Sequence, residues 1–432
     1  MWVRVLYVWL DVTSRTTDSS SERAVAACAR KLLRADAVRK SARRVLLLAL
    51  DDELEEWTVD LDRLAPTAEF VAGVVRERYP RLDAPVHSRW RHFVFEGRDL
   101  WNGISGAAKW ASPEAAARSA IDLVVTSVLL DAGAGAEWRY HDSATAVSAA
   151  RSEGLALASL RWFERGGLSD DPKDPLRVDA AALRRVAGPA LQDAFQAGEA
   201  NPLLALAGRA ALLNRLGAVV ESRPDLFAIA DSPRPGGLFD ALKARAVQGR
   251  LPAATILETL LQALGPVWQG RPTLGGVPLG DCWPHPALVA DSPEECYVPL
   301  HKLSQWLTYS LLEPLECAGI AVSHVHELTG LAEYRNGGLF VDMQVLKPRD
   351  PVALTRTHAV SAPFVVGWRA ATVALLDRLA PLVSTQLGLT PDRFPLASVL
   401  EGGTWAAGRL LARKLRADGG PPFHVESDGT VF

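Results

Sequence analysis

The chain has 432 residues, of which 48% are apolar and 22% are charged, and its net charge is -3. This composition predicts a globular protein with a large core, and the lack of a dominant Lys/Arg block excludes the broad cationic face that duplex nucleic acid requires. Four cysteines in a chain of this length are too few for a disulfide scaffold and fit a reducing cytosol.

The first 22 residues are predicted to form a flexible extension. Their apolar run VLYVWL lies between Arg4 and Asp11 and is far shorter than a secretory core or a membrane span of about 20 residues. Since no other segment is long and apolar enough to span a bilayer, the sequence predicts a cytoplasmic protein that binds no membrane.

Beyond this extension the dominant pattern is helical. Ser112-Pro113-Glu114 combines an N-cap residue, a proline at the first helical position and an acid in the first turn. Asn201-Pro202 repeats this opening, which predicts a helix that ends at Gly217. Further helical patterns cover 37–50, 68–79, 145–163, 252–265, 299–313, 364–383 and 404–417.

Strand patterns are few: WTVDL (57–61), IAVSHV (320–325) and LFVDMQVL (339–346). The sequence therefore predicts a mainly α, multi-helical protein with a few short strands or hairpins. Residues 23–432 are expected to form one catalytic unit. It is either undivided or built as two lobes, about 23–235 and 236–432, with the site between them.

Two segments are candidates for anion binding. In HSRWRHF (87–93), an extended backbone would place Arg89 and Arg91 on one side and Trp90 on the other, which suits a phosphate or carboxylate beside a planar group. A surface strand that pairs with neighbouring acids is an equally good interpretation. In EGGTWAAGR (401–409), Thr404 and two glycines open a helix whose N–H groups can hold an anion, although close helix packing explains these glycines better.

Cysteine and histidine spacing allows a zinc site without favouring one. Cys282 and His285 are spaced C-x2-H, and Cys296 and His301 follow as C-x4-H. Neither spacing is a standard finger pattern, and buried Cys and His are common, so no metal ligand is predicted. The same reasoning applies to the pair His324 and His326.

The helix predicted over 299–313 carries polar residues that are unusual for a solvated face. His301, Gln305 and Thr308 fall at helical spacing, with Lys302 beside them. These polar residues beside the indole of Trp306 are typical of a pocket wall. The alternative is a buried polar cluster whose hydrogen bonds are all made within the protein.

The segment LTGLAEYRNGG (328–338) places four functional side chains together: Glu333, Tyr334, Arg335 and Asn336. Gly337-Gly338 is predicted to turn closely around a ligand, after which the strand LFVD brings Asp342 back. Two carboxylates across such a turn would serve one sugar ring, although two surface acids would give the same pattern.

Several of these segments resemble the uracil-catabolism protein family of the pyrimidine ring-opening pathway. The resemblance covers about residue 25 to the end and rests on the following segments: HSRWRHF, SVLLDAGAG (127–135), ARSEGLALASL (150–160), NPL (201–203), LGDCWPH (279–285), VPLHKLSQWLTYSLLEPL (298–315), LTGLAEYRNGGLFVD (328–342), PLASVLEGGTWAAGR (395–409) and SDGTVF (427–432). It implies a cytosolic role in the use of uracil as a nitrogen source.

A more distant resemblance implies a mechanism. The order of Lys302-x2-Gln305, LTGLAEYR and VGWRAATVALLD (366–377) is similar to the queuosine-salvage N-glycosidases, helical proteins akin to DNA glycosylases. It implies a DNA-glycosylase-like fold, with Glu333 as the acid at the sugar carbon and Lys302 as the site lysine. One departure is Gly367 where both families favour an acid, so Arg369 must find another partner.

Together these patterns predict a hydrolase that cleaves the N-glycosidic bond of a ribosyl-urea-type intermediate, with or without a 5′-phosphate. Glu333, as nucleophile or general base, would be catalytic with Lys302 and Asp342. Asp342 or Asp281 would bind ribose hydroxyls, and Arg89 and Arg91 would take a phosphate. The predicted substrate-binding set is His301, Gln305, Tyr334, Arg335, Asn336, Asp281, Trp283, His285, Arg89, Trp90, Arg91, Trp368, Arg369 and Thr404.

The prediction includes a small-molecule substrate and no cofactor, metal ion or nucleic acid, and it leaves room for a homodimer. Two alternatives stay open. One is a zinc-dependent amidohydrolase that acts on a ureido intermediate, and the other is a non-catalytic partner of another enzyme of uracil breakdown.

Overall fold

The architecture is mainly α, as predicted. A computed structural model describes residues 19–229 and 232–426. Its α-helices are α1 Ser19–Lys31, α2 Ala35–Leu50, α3 Leu64–Arg78, α4 Leu100–Ala107, α5 Pro113–Leu129, α6 Arg151–Glu164, α7 Ala180–Arg184, α8 Gly188–Ala194, α9 Leu206–Ser222, α10 Pro224–Phe227, α11 Leu238–Lys243, α12 Ala253–Leu264, α13 Lys302–Cys317, α14 Tyr334–Asp342, α15 Pro363–Gln386, α16 Leu396–Val399 and α17 Trp405–Leu415.

The strands are short and form two-stranded pairs throughout the described ranges. In chain order they are β1 Trp57–Val59, β2 Val94–Phe95, β3 Arg98–Asp99, β4 Arg139–Asp142, β5 Val147–Ala150, β6 Ala228–Ile229, β7 Ser232–Pro233, β8 Arg250–Pro252, β9 Thr273–Leu274, β10 Val277–Pro278, β11 Cys282–Pro284, β12 Tyr297–Pro299, β13 Ala321–Ser323, β14 Leu346–Pro348, β15 Thr357–His358 and β16 His424–Val425. The predicted strands at 57–61 and 320–325 are confirmed as β1 and β13. Within residues 19–229 and 232–426, no helix has the length and apolar content needed to cross a bilayer.

Helix α15 lies at the centre of the core. Most of its residues are buried, including Trp368 and Arg369, and it packs against α2 and α3. Helix α13 is equally buried and packs against α5. Since both helices are covered on most sides, polar groups on them must find partners inside the protein. These two helices carry much of the predicted site.

The predicted helix openings have different outcomes. Ser112 caps α5 through a hydrogen bond that its hydroxyl accepts from the backbone N–H of Ala115, 3.3 Å away, and this prediction is confirmed. The second opening is wrong, because α9 begins at Leu206 rather than after Asn201, and it continues past Gly217 to Ser222. Asn201 instead donates its side-chain amide to the carbonyls of Arg139 and Gln196.

The predicted turn and strand after Tyr334 are also wrong. Residues 334–342 form the single helix α14, and the strand in this region begins only at Leu346. Gly337 does not turn the chain. A Cβ atom at this position would lie 2.5 Å from the indole of Trp368, so the glycine allows α14 to pack closely on α15.

The predicted N-terminal extension lies almost wholly outside the described residues, as does the segment SDGTVF (427–432). The division into two lobes stays a prediction. One continuous apolar cluster joins buried residues from both predicted ranges.

Candidate functional site

A cavity of about 350 Å³ lies among the buried helices. This size suits a small molecule rather than a polymer. Its wall combines aromatic rings with a few charged groups. The lining includes His87, His92, Asp131, Ser152, Lys302, Trp306, Glu333, Tyr334, Arg335, Trp368, Trp405, Phe423 and His424.

Glu333 lies in this wall as the N-cap residue of α14. Its two carboxylate oxygens accept hydrogen bonds from the backbone N–H groups of Arg335, at 2.8 Å, and Asn336, at 2.6 Å. These donors are free because the first N–H groups of a helix have no carbonyl partner within it. The carboxylate is therefore held in one orientation at 8% exposure of the residue.

Lys302 shares the cavity with Glu333, as the sequence predicted. Its ammonium forms no hydrogen bond or ion pair with a described residue, and it lies 5.9 Å from the ring centre of Trp306. Burial lowers the pKa of Lys302, while the negative charges of Asp131 and Glu333 oppose that shift without cancelling it. An amine in this setting is available to a bound molecule.

Asp131 is a second carboxylate of the cavity. It accepts hydrogen bonds from Arg89, at 2.8 Å, and from the hydroxyl of Ser152, at 2.6 Å. Burial would raise the pKa of Asp131, but the positive charges of Arg89 and Lys302 reverse this effect and lower it. Glu333 and Asp131 thus place two oriented carboxylates in the same cavity as the amine of Lys302.

His87 and His92 also belong to the polar part of the wall. His87 bonds through Nδ1 to Glu401, 2.6 Å away, and both residues are buried. Because an ionised carboxylate can only accept, Nδ1 carries a proton and Nε2 is left for proton exchange. Burial, followed by the charge of Arg89, lowers the pKa of His92 to about 4, so this ring is neutral at pH 7.

Arg335 closes one side of the cavity. Its guanidinium stacks on Trp405, 3.9 Å from the ring centre, and its Nε donates to the hydroxyl of Tyr334. Trp368, also predicted, contributes its indole to the wall. The predicted residues that the structure brings together are therefore Glu333, Lys302, Tyr334, Arg335 and Trp368.

Asp281 and Arg369 have a structural role instead. They form a bidentate ion pair with both distances at 2.7 Å, and Asp281 also accepts from Trp283 and from the backbone N–H of Lys302. Burial would raise the pKa of Asp281, but Arg369 holds it well below its ordinary value. Arg369 thus finds its partner in Asp281 despite Gly367. This pair ties α15 to the start of α13, and Asp281, which was expected to bind ribose hydroxyls, does not line the cavity.

The phosphate site predicted at HSRWRHF is wrong in its geometry. Residues Arg89–Phe93 form a 3-10 turn rather than an extended edge. Arg89 is fully buried on Asp131 and Ser127, and Arg91 contacts both oxygens of Glu313. Trp90 donates to the carbonyl of Ser310 in the core. Neither arginine lines the cavity.

The remaining predicted residues also lie outside this wall. Asp342 is at the far end of α14, where Arg416 binds both of its oxygens, so the predicted approach to Glu333 across a turn is wrong. Other buried side chains bond to the backbone: Gln305 to Thr329, Asn336 to Leu331, His285 to Pro363, and His301 to Leu32. Thr404 is buried beside two glycines that pack on α3, which confirms close packing as their role.

The cysteines and histidines do not assemble into a metal site within 19–229 and 232–426. In these ranges no three His, Cys, Asp or Glu side chains are placed to hold one ion. His285 and His301 each bond to a backbone carbonyl, and Cys282 is buried. The geometry therefore gives no support to the zinc alternative.

Sequence reasoning missed several wall residues. Trp306 was noted only as the indole beside the polar residues of α13, although it follows Lys302 by one helical turn. Asp131 lies in the segment SVLLDAGAG but was not selected. His87 and His92 belong to HSRWRHF, but only their 3-10 turn brings both to one cavity. Nothing in the sequence indicated Phe423 or His424, which reach the site from the carboxyl-terminal segment.

Comparisons with known proteins agree on one family. A family model described as "Protein of unknown function (DUF1688)" matches residues 31–432. The chain is 37% identical over 415 residues to "Protein urg3" of Schizosaccharomyces pombe, an alignment that covers 93% of this chain and 98% of that protein. It is 35% identical over 416 residues to "Uracil catabolism protein 4" of Lachancea kluyveri, an alignment that covers 88% of this chain and 93% of that protein.

Proposed function

The chain belongs to the DUF1688 family and is similar to these two fungal proteins, and we propose that it acts in uracil catabolism as a hydrolase of an N-glycosidic bond. The pathway comes from the printed name of one relative. The reaction is inferred from one observation, namely that Glu333 and Lys302 line the same cavity. The proposed substrate is a ribosyl-urea, and the products are ribose and urea.

Cleavage of this bond develops positive charge on the anomeric carbon and negative charge on the departing nitrogen. In our proposal, the oriented carboxylate of Glu333 stabilises the positive carbon and activates the attacking water. Asp131, and not Asp342 or Asp281, accepts hydrogen bonds from the ribose hydroxyls. The aromatic wall excludes bulk water and strengthens these charge interactions.

The leaving nitrogen must take up a proton. His87 is suited to supply it, because Glu401 fixes the ring through Nδ1 and leaves Nε2 for proton exchange. Lys302, with its lowered pKa and its unpaired amine, binds the urea carbonyl and orients the substrate. Water supplies the hydroxyl that ends on ribose and the proton that restores the acid, so the step balances.

A product screen tests the proposed reaction. The purified protein is incubated with ribosyl-urea, its 5′-phosphate, uridine, UMP and uracil, and the products are read by mass spectrometry. We expect release of urea and the free sugar from a ribosyl-urea substrate. If none of these compounds is consumed, the proposed activity is wrong and a non-catalytic role in the pathway becomes the better interpretation.

Substitution of Glu333 tests the site itself. Glu333→Gln removes the charge at nearly constant shape and should lower kcat/KM at least a hundredfold, about 3 kcal/mol of transition-state stabilisation. Because Glu333 is also a helix cap, the matched control is Asp99→Asn. This change removes a carboxylate that caps α4 through the N–H of Asn102, away from the cavity. Wild-type turnover by Glu333→Gln would contradict the assignment.

A further inference from the structure

The guanidinium of Arg335 has unused hydrogen-bond donors. Arg335 is only 3% exposed, yet its Nη1 and Nη2 atoms are buried and have no hydrogen-bond partner within residues 19–229 and 232–426. Its Nε alone is bonded, to the hydroxyl of Tyr334 at 3.1 Å. Burying charged donors without partners is costly, so native proteins rarely keep such an arrangement without a use for it.

The residues around Arg335 hold the guanidinium in place but accept no hydrogen bond from its Nη atoms. One face stacks on Trp405, 3.9 Å from the ring centre. The neighbouring acid is Glu153, whose Oε1 is bound by Arg409 and whose charge acts on Arg335 without a direct hydrogen bond. Glu333 is engaged by backbone N–H groups of α14. Arg335 lines the cavity, and none of its Nη–H groups has a hydrogen-bond partner among the described residues.

We propose that Arg335 is the anion-binding residue of this cavity, and that the substrate carries a phosphate or a carboxylate that the Nη atoms grip in bidentate fashion. A planar fork of N–H groups matches two oxygens of either anion better than a lysine does. Stacking on an indole fixes the plane of the fork before the ligand arrives, which lowers the entropy lost on binding.

For the substrate class, this inference rests on the proposed function. A ribosyl-urea can carry an anion as a 5′-phosphate on its sugar, whereas a ureido acid would carry a carboxylate. Arg89 and Arg91, the pair predicted from sequence, do not line the cavity. Asp131 binds Arg89 and Glu313 binds Arg91, so neither arginine can take this role. Arg335 replaces them.

Calorimetric titration with defined probes tests the proposal. The probes are ribose, ribose 5-phosphate and 3-ureidopropionate. We expect the wild-type protein to bind one of the two anions at least tenfold more tightly than ribose, and the preferred anion identifies its source. Arg335→Gln should remove that preference. Arg335→Lys keeps the charge without the fork and should recover only part of it.

Arg413→Gln is the matched control, because it removes one positive charge from an exposed position of α17 away from the cavity. It should keep the full preference. Equal binding of ribose and both anions by the wild-type protein would overturn the proposal, as would a preference that survives in Arg335→Gln. If Arg335→Gln does not fold, Arg335→Lys decides. If this variant binds the anion with the full wild-type preference over ribose, bidentate binding by Arg335 is wrong.

The two proposals fail in distinguishable ways. Anion binding that depends on Arg335, with no ribosyl-urea consumed, leaves the anion site standing and removes the glycosidase. Conversely, hydrolysis of ribosyl-urea and its 5′-phosphate at equal kcat/KM in wild type and Arg335→Gln removes the anion site and leaves the glycosidase.

Discussion

Glu401 is a buried carboxylate whose charge depends on its neighbours. Burial would raise its pKa, but the hydrogen bond from His87 and the charge of Arg78 lower it to about 2, from an ordinary value of 4.5. A lowered pKa means that ionisation of Glu401 contributes stability above about pH 4.5. That contribution is lost as the pH falls through about 2.

Glu401→Gln is therefore expected to destabilise the protein most at neutral pH. A pKa difference of about 2.5 corresponds to a deficit on the order of 3 kcal/mol, which should shrink as the pH falls from 4.5 towards 2. Urea unfolding at a series of pH values measures it. Glu69→Gln, an exposed acid on α3, should show no such deficit. A Glu401→Gln deficit that is constant with pH would contradict the proposed ionisation of Glu401.

At the residue scale, the sequence indicated part of the site. Glu333 and Arg335 stand beside one another, and Lys302 belongs to a helix with unusual polar residues, so local patterns were sufficient to select them. Asp281 was assigned to ribose because its ion pair with Arg369 joins residues 88 positions apart. No local pattern reports such a partner.

At the element scale, helix α14 shows why a short apolar run misleads. LFVD is compatible with a strand and with a helix, and a Gly-Gly pair before it favours a turn. In the protein, Glu333 caps a helix in which Gly337 faces helix α15 and Gly338 faces Pro422 of the carboxyl-terminal segment. The long helices α2, α12 and α15 were predictable, because apolar residues that recur at helical spacing over several turns are compatible with a helix and not with a strand.

Gly408 controls the approach of α17 to α14. An added Cβ atom would lie 2.2 Å from the backbone oxygen of Arg335, which cannot move without displacing its helix. Gly408→Ala should therefore cost about 1 to 3 kcal/mol, despite the better helix propensity of alanine. It should also disturb the stack of Arg335 on Trp405 and weaken anion binding.

The control for this change is Gly103→Ala on α4. Gly103 is an exposed helical glycine with no atom within 4 Å of an added Cβ, so the substitution should stabilise the protein by up to about 1 kcal/mol. Thermal unfolding of both variants measures the difference. Shifts of the same sign in both would show that the contact between α14 and α17 is looser than described.

At the scale of the whole molecule, the cavity wall is assembled from distant parts of the chain. It includes His87 from the first quarter, Lys302 from α13 and Phe423 from the segment after α17. The helical class of the fold follows from local periodicity, whereas this meeting of remote segments depends on tertiary packing. The site is accordingly sensitive to how firmly the carboxyl-terminal segment is held.

Phe423 anchors that segment. Its ring lies 4.6 Å from that of Trp368 and 5.0 Å from that of Phe364, and the adjacent strand β16 pairs with β15. Phe423→Ala would leave a void between these rings and should cost about 3 to 5 kcal/mol of unfolding free energy. It should also weaken ligand binding, because the wall and the core share this ring.

Urea unfolding and calorimetric titration of the same preparation separate the two effects. Leu415→Ala is the matched control, because this side chain is 57% exposed on α17 and its truncation should change stability by less than about 0.5 kcal/mol. If Phe423→Ala unfolds at the wild-type urea concentration, the segment does not anchor the core. If it is destabilised but binds its anion as tightly as the wild type, the ring supports the fold without shaping the site, and the cavity must be closed by its neighbours.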